Sequence, residues 1–465
     1  MYGALYRTML FPAYELLRGR RMMHYLRELE QTQWLSPEEI ARRQWDRVRR
    51  MLCYAYEETA FYRKAFDEAG VSPDDIRSPG DIPRLPMLTK QHLQEQQQEL
   101  IAQSYRDKPL IVSHSGGSTG QPVAFRYDRD HYDRRVAAWV RADRWGGYEL
   151  GEKQIMLWLA VGSGVGQRRR LETWKERTHW ALMRWRPITC TTLTRETARE
   201  YHRVMCRWRP RNMYALAQSA YTLALLFEQL GLNAPPMKGI ILGAEKVFPY
   251  QKEKIEQVFG SPVFERYGCQ EFCNIGEECE EHNGMHVNAD GLYVEVVGPD
   301  GNAVPPGEVG EVVVTSLDNF AMPFIRYRMG DMGIMAEGPC PCGRGLPRIK
   351  EIVGRTLDMI VTPEGVVCSG VMAPHFMKEF ESVREFQFVQ EAVDALTIRI
   401  VPAPDFNERT KDYLVEQLRR WVGPTMKIMV EERATLERAA SGKYKLVVSK
   451  INIQDAVKDV AREAR

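Results

Sequence analysis

From about residue 150, short apolar runs such as IMLWLAV (155–161) and GIILGAE (239–245) alternate with longer stretches of helical periodicity, among them 220–229 and 250–258. That rhythm predicts an α/β domain built on a mostly parallel sheet. Between 291 and 315 the period shortens: LYVEVV and EVVVTS flank the turn-rich PDGNAVPPGEVG, the pattern of a small β subdomain. After Gly354 the chain starts again, with IV, a helix at about 371–381, strands at 385–390 and 395–401, a helix at 406–421 stopped by Gly423-Pro424, and the strand MKIMVEE. This order is β-α-β-β-α-β. Phe406, Tyr413, Leu414, Leu418 and Trp421 are expected on one face of its second helix, enough for a small core of its own. The expected domains are therefore 1–356 and 357–465. Upstream, Ser36-Pro37-Glu38-Glu39 predicts a capped helix running to about Thr59, with Ser36 as the cap and Glu39 closing a capping box.

Length and composition agree with this plan. A chain of 465 residues, 44% of them hydrophobic, can bury more than one core. Its 64 basic and 62 acidic residues leave a net charge of +2, so no global field points to nucleic acid. The run Arg168 to Arg170 reads as a solvated helix start. In the first 21 residues Arg7, Pro12 and Glu15 interrupt the apolar stretches well short of the ~20 residues a span needs, which predicts neither signal peptide nor membrane span. Nine cysteines, five of them at 269, 273, 279, 340 and 342, suit a reducing compartment, and the cytoplasm is the expected location.

The candidate chemistry lies at the ends of the expected strands. Ser115, Gly116, Gly117, Ser118, Thr119 and Gly120 form a hydroxyl- and glycine-rich loop after LIVS, a composition that lets N–H and O–H groups wrap a phosphate. No Lys-Ser/Thr pair follows, so it is not a Walker loop. GIILGAE ends at Gly243, Ala244 and Glu245, and FERYGCQE carries Tyr267, Gly268 and Glu271; both follow strands, where α/β sheets bind ligands. Further on come FIRYRMGD with Asp331, GRTLD with Arg355, and ASGKYK with Lys443. Taken singly, each of these is a charged turn.

Taken in order, hydroxyl-glycine loop, GAE, YGxxE, RYRxGD, GR and a terminal GK resemble the adenylate-forming superfamily, in particular its phenylacetate-CoA ligase-like branch with the capsule-biosynthesis relatives, over about residues 80–450. The resemblance implies an enzyme that activates a small, aryl or arylacetic, carboxylic acid with ATP and passes the acyl group to coenzyme A. It implies that Ser115 to Gly120 cradle pyrophosphate, that Glu271 holds Mg²⁺, and that Gly243, Ala244 and Tyr267 line the adenine site, with Glu245 and Gly268 beside them. Asp331 would accept both ribose hydroxyls, with Arg355 nearby, and Lys443 would bridge the acid and the α-phosphate. The small C-terminal domain would rotate between the two half-reactions. Two departures stand out: Gln121 where many relatives carry Lys, and Leu357 where a polar hinge residue is usual, with Asp358 next to it.

Cys279, His282, His286, Cys340 and Cys342 form a second constellation. Sulfur and imidazole donors suit tetrahedral zinc, but C-x-C is not the common C-x₂-C knuckle, and ordinary buried thiols are the alternative. The family's CPCGR-bearing members look similar here, which implies structural zinc held by Cys279, His286, Cys340 and Cys342, with His282 in reserve. The segment Gly162 to Gly166 lacks dinucleotide spacing and reads as a loop; the tryptophans at 139, 145, 158, 180 and 185 read mainly as packing. Delivery of the acyl group to an amine, a sugar or a carrier protein is the second reading. A catalytically dead nucleotide-binding scaffold is disfavoured by the presence of Glu271, Asp331 and Lys443. A homodimer is the commonest assembly for such a chain.

Overall fold

The computed structural model describes residues 2–115, 123–158, 180–190, 193–298, 300–352, 360–364, 367–368, 377, 380, 382–436, 447–449 and 451. The chain forms two compact units: Met1–Ser115, Val123–Glu152 and Phe264–Arg355 in one, and Gly116–Pro122, Lys153–Val263 and Thr356–Arg465 in the other.

The first unit opens on helices. The one over Pro37–Glu58 begins as its sequence requires: the Glu39 N–H donates to Ser36 Oγ at 3.2 Å and the Ser36 N–H donates to the Glu39 carboxylate at 3.1 Å, so two otherwise orphan donors are satisfied at once. A hairpin of β1 (Ile111–His114) and β2 (Ala124–Tyr127) follows, and then the helix Arg129–Trp145, capped by the Asp128 carboxylate at the His131 N–H.

In the second unit β3 (Gln154–Trp158), β4 (Trp185–Thr189), β5 (Asn212–Leu216) and β6 (Gly239–Gly243) are parallel, in the order β6-β5-β3-β4. Every residue of β6 is buried, as a continuous apolar run covered on both faces should be. Ile155, Leu157, Met213, Ala215, Ile240 and Leu242 pack with Ala220, Leu223, Ala224 and Phe227 of the helix Ala217–Gln229. The predicted helix at 250–258 spans Pro249–Phe259.

Back in the first unit, β7 (Val263–Tyr267), β8 (Gly276–Glu278), β9 (Met285–Val287), β10 (Leu292–Val297), β11 (Val309–Ser316), β12 (Tyr327–Met335) and β13 (Arg348–Ile352) run antiparallel in the order β10-β11-β12-β13-β9-β8-β7. The expected β subdomain is the β10–β11 edge of this sheet. Arg326 leads into β12 with a positive φ of 49°. Its buried guanidinium pairs with Glu295 and donates to the carbonyls of Pro83, Leu85 and Gly301, so charge and fork are both satisfied inside the core.

The C-terminal segment holds a short hairpin, β14 (Ile360–Val361) with β15 (Val367–Cys368), and a sheet of β16 (Val383–Ala392), β17 (Ala395–Pro402), β18 (Lys427–Glu432) and β19 (Val447–Ser449) in the order β18-β17-β16-β19. The β-β-α-β portion matches the sequence reading. The first strand pairs in the hairpin instead, and β19 lies parallel to β16; the helix expected at 371–381 falls largely outside the described residues. The helix Glu408–Val422 buries Leu414, Leu418, Trp421 and Val422. Tyr413, expected on that face, is 41% exposed: 414, 418, 421 and 422 define the stripe, and a residue one step before 414 is turned about 100° away from it. Among the described residues no helix is long and apolar enough to cross a membrane.

Candidate functional site

Tyr267 ends β7, and the chain turns back at once. A Cβ on Gly268 would come within 2.0 Å of the Cys273 carbonyl oxygen, so only glycine permits the turn that presents Glu271. The Cys273 N–H closes that turn on the Cys269 carbonyl at 2.7 Å. Across the sheet, the Tyr267 hydroxyl donates to Asp331 Oδ2 at 2.9 Å, and the Tyr327 hydroxyl reaches Glu271 Oε1 at 3.5 Å. Two motifs distant in the chain, YGCQE and RYRMGD, thus meet side chain to side chain through contacts spanning 64 and 56 residues. Asp331 itself is 6% exposed.

The strands beneath are held by a buried charge cluster. Arg266 on β7 pairs with Asp143 and with Glu277 of β8, and Trp139 donates to Asp143 at 3.1 Å. Burial pushes both carboxyls up from their ordinary range, with the Arg266 charge opposing it. Taking either partner away would strand a charge in the interior. The pattern had not marked this cluster; three isolated charges on separate elements carry no spacing signal.

In the second unit β6 delivers Gly243, Ala244 and Glu245. Ala244 has φ 67°, a left-handed conformation that a non-glycine residue adopts at some cost and that is concentrated at functional turns. The Glu245 carboxylate accepts the Gln218 N–H at 2.9 Å at the start of the helix Ala217–Gln229, and Gln251 bonds the Gln218 side chain at 2.7 Å. The GAE turn is therefore anchored to a helix N-terminus, where a carboxylate is favoured. Ser115 closes the base of its loop: its Oγ accepts the Val123 N–H at 2.9 Å and its N–H donates to the Val123 carbonyl at 2.8 Å. Gly116, Gly117, Ser118, Thr119, Gly120, Arg355 and Lys443 lie outside the described residues, as do Leu357 and the Gly162 to Gly166 loop.

Cys279, His286, Cys340 and Cys342 converge, with one candidate ligand atom from each and all four within 4.8 Å of one another. Cys279 Sγ is 3.7 Å from Cys340 Sγ, and Cys342 Sγ is 3.3 Å from His286 Nε2. A tetrahedral zinc site with Zn–S near 2.3 Å has donor–donor edges of about 3.8 Å. His286 Nδ1 faces the Leu346 carbonyl at 3.4 Å, which selects the tautomer leaving Nε2 toward the sulfurs. Burial, aided by the charges of Arg344, Arg348 and Arg141, lowers this imidazole to about 4 and keeps it neutral. Burial raises Cys279 and Cys340, whereas at Cys342 the opposing Arg344 N–H and guanidinium outweigh burial and lower the thiol. His282 is not in this group: its Nδ1 pairs with Glu278 at 3.1 Å and its ring packs on Phe264.

A residue overlooked in the sequence is Arg344, the last of CPCGR. Its N–H donates to Cys342 Sγ at 3.4 Å, its guanidinium meets both Glu280 oxygens at 3.0 Å, and its Nε shares Gln33 Oε1 with the Trp145 indole. Trp145 also stands edge-on to His286, 5.4 Å between ring centroids. The motif's own Arg was the available signal. Trp158 stacks on Tyr214 in the second unit.

Residues 360–450 match the family described as CapK C-terminal domain. The chain is 28% identical over 461 residues to the phenylacetate-coenzyme A ligase of Thermus thermophilus, spanning 92% of this chain and 99% of that one, and 27% identical to the phenylacetate-coenzyme A ligase of Aromatoleum evansii, spanning 91% and 97%. A crystal structure of 2-hydroxyisobutyryl-CoA ligase with 2-HIB-AMP and CoA in the thioesterification state covers 93% of this chain and 94% of its own at TM-score 0.64 and 21% identity, which shows the common fold. Along nine-tenths of its length the chain is similar in sequence to the phenylacetate-coenzyme A ligases, its residues 360–450 match the CapK C-terminal domain, and it shares the fold of a CoA ligase.

Proposed function

We propose that this chain activates a small carboxylic acid with ATP to an acyl-adenylate and transfers the acyl group to coenzyme A. The observation that carries the reading is the hydrogen bond between Tyr267 and Asp331, which brings two motifs of the adenylating enzymes to one point. An ionised Asp331 has two oxygens for the two ribose hydroxyls, and the Tyr267 phenol fixes its rotamer from one side. Glu271, a hard oxygen donor at the turn after β7, is suited to hold Mg²⁺, which supplies charge neutralisation on the phosphates when bound. Gly243, Ala244 and Glu245 offer a rigid turn for the adenine, and Ser115 begins the loop that takes pyrophosphate.

Lys443 is assigned the bridge between the acid and the α-phosphate, where charge grows in the first half-reaction. The segment 357–465 is taken as the domain that brings it there, and the family match over 360–450 supports that division. An aryl or arylacetic acid is the substrate class we favour, on the strength of the similarity to phenylacetate ligases.

Structural zinc at Cys279, His286, Cys340 and Cys342 completes the reading. Three thiols and a neutral imidazole at tetrahedral spacing fit that ion, and four protein ligands would leave no place for a reacting water. Its contribution would be to tie the β8–β9 turn to the CPCGR loop.

The experiment is pyrophosphate release across a panel of carboxylic acids, with and without coenzyme A. Release that depends on an aryl acid, with thioester formed only when coenzyme A is present, is expected. Release without thioester would move the acceptor to an amine, a sugar or a carrier protein; no release with any acid would refute adenylation.

A further inference from the structure

Six of the sixteen exposed large apolar side chains among the described residues fall within the first seventeen positions: Leu5, Met9, Leu10, Tyr14, Leu16 and Leu17. The helical turns Tyr2–Leu5, Tyr6–Leu10 and Phe11–Arg18 follow one another directly. Their inner side buries Tyr6, Phe11 and Glu15. Positions 5, 9, 13 and 16 to 17, at intervals of three and four, make the opposite side, with Leu16 and Leu17 85% and 84% exposed. Nothing in folding the unit needs these leucines in water, and a strip of this kind marks an interaction surface.

Charge decides what the strip meets. The sole carboxylate among residues 1–27 is Glu15, and it is turned inward to accept the Met23 N–H at 2.9 Å. Arg18 and Arg21 are exposed at the helix's end, and the exposed Arg129 adds a third cation there by donating to the Arg18 carbonyl at 3.0 Å. A second copy of the chain, meeting this surface across a two-fold axis, would bring arginines together with no outward carboxylate from the strip to pair them. A bilayer rich in anionic lipid supplies both complements: acyl chains for Leu16, Leu17 and Met9, and phosphates for the guanidinium groups.

We propose that the amphipathic segment Tyr2–Arg18 docks this chain in the interfacial plane of an anionic membrane, with Leu16 and Leu17 inserted and Arg18, Arg21 and Arg129 at the headgroups. The attachment is peripheral and needs no span. It would place the ligase at a lipid surface, independently of which acid it activates.

Full-length protein is sedimented with vesicles of phosphatidylcholine alone and of phosphatidylcholine mixed with phosphatidylglycerol, and the bound fraction measured. Binding to the mixed vesicles, weak on the neutral ones and reduced by salt, is expected. Leu16→Glu with Leu17→Glu should lower it about tenfold or more, and Arg18→Glu by less. Because both leucines are solvent-exposed, the double variant should keep its circular dichroism and its rate of pyrophosphate release. Absent binding to the mixed vesicles, or binding equal in the double variant, overturns the proposal. So does a dimer in sedimentation velocity that the double variant dissolves while neither protein binds lipid, since the strip would then be an interface between copies.

Discussion

The cysteine–histidine group and the Tyr267–Asp331–Glu271 group belong to the same unit and are built on opposite plans. In the former, four ligand atoms, from Cys279 just after β8, His286 on β9 and the CPCGR loop, face one another within 4.8 Å, and Arg344, Gln33 and Trp145 lock the surroundings. In the latter, a phenol reaches each carboxylate, Tyr267 to Asp331 and Tyr327 to Glu271, and the further residues assigned to the chemistry extend from Ser115 to Lys443 along the chain. Closure on itself is what a structural centre requires. A site that must bind, react and release is assembled from parts that converge around the substrate instead. Substitutions in the closed group should therefore act on stability, and those in the open group on turnover or binding.

The sharpest way to break the contrast is at Lys443. Lys443→Ala should slow acyl-adenylate formation by about a thousandfold, because the charge growing at the α-phosphate loses its fixed counter-charge. The variant should still convert a synthetic acyl-adenylate and coenzyme A into thioester, and its melting temperature should match the wild type. Wild-type pyrophosphate release would reassign the role, with Lys445 next. Failure of both half-reactions in a folded variant would reject the domain rotation, and Leu357 at the hinge position gives that outcome its interest.

The closed group should answer in the other way. We expect about one zinc per chain by elemental analysis, and Cys279→Ser should release it and destabilise the fold by roughly 3 kcal/mol or more, since three ligands and their neighbours are left without the ion that joins them. A metal-free preparation with an unchanged melting curve would remove zinc from the account and leave a set of packed thiols.

These two groups were not equally legible in the sequence. The metal-type residues are rare amino acids whose clustering at 279–286 and 340–342 survives without any knowledge of the fold, and the same four meet in space. The reason His286 rather than His282 faces the cysteines is not visible in spacing: His286 lies on β9, while His282, at the turn with φ 48°, swings to Glu278. The α/β rhythm and the capping box at Ser36 were readable because they are local. The Arg266–Asp143–Glu277 cluster and the Arg326 anchor were not, because each joins residues distant in the chain whose letters look like ordinary surface charge. Tyr413 was misplaced for a local reason, standing one residue before the buried 414–418–421–422 stripe and so turned about 100° from it.

Asp331→Ala tests the open group without touching Lys443. Losing two charge-assisted hydrogen bonds to ribose should weaken ATP by about 3 kcal/mol, near a hundredfold, in a calorimetric titration. Because Asp331 is nearly buried, the melting temperature must be followed alongside. Unaltered ATP affinity in the folded variant would make RYRMGD a structural turn and erase the contrast between the two groups.

The smallest effect is expected at Tyr267→Phe, and it is the most informative about how the open group is held. The substitution keeps the ring at the end of β7 and removes only the hydroxyl that donates to Asp331 at 2.9 Å. If the phenol's work is to fix the Asp331 rotamer, ATP affinity should fall by about 1 kcal/mol, five- to tenfold, because the carboxylate then loses one of the hydrogen bonds that order it before ribose arrives. The turnover of bound ATP should hardly change, since the hydroxyl touches no reacting atom, and the double variant Tyr267→Phe with Asp331→Ala should be no worse than Asp331→Ala by itself. A full additive loss in the double variant would mean that Tyr267 contacts the nucleotide directly rather than through Asp331. An unchanged affinity in the single variant would mean that Asp331 is oriented without the Tyr267 phenol, and that the hydrogen bond between them does not set the geometry of the open group.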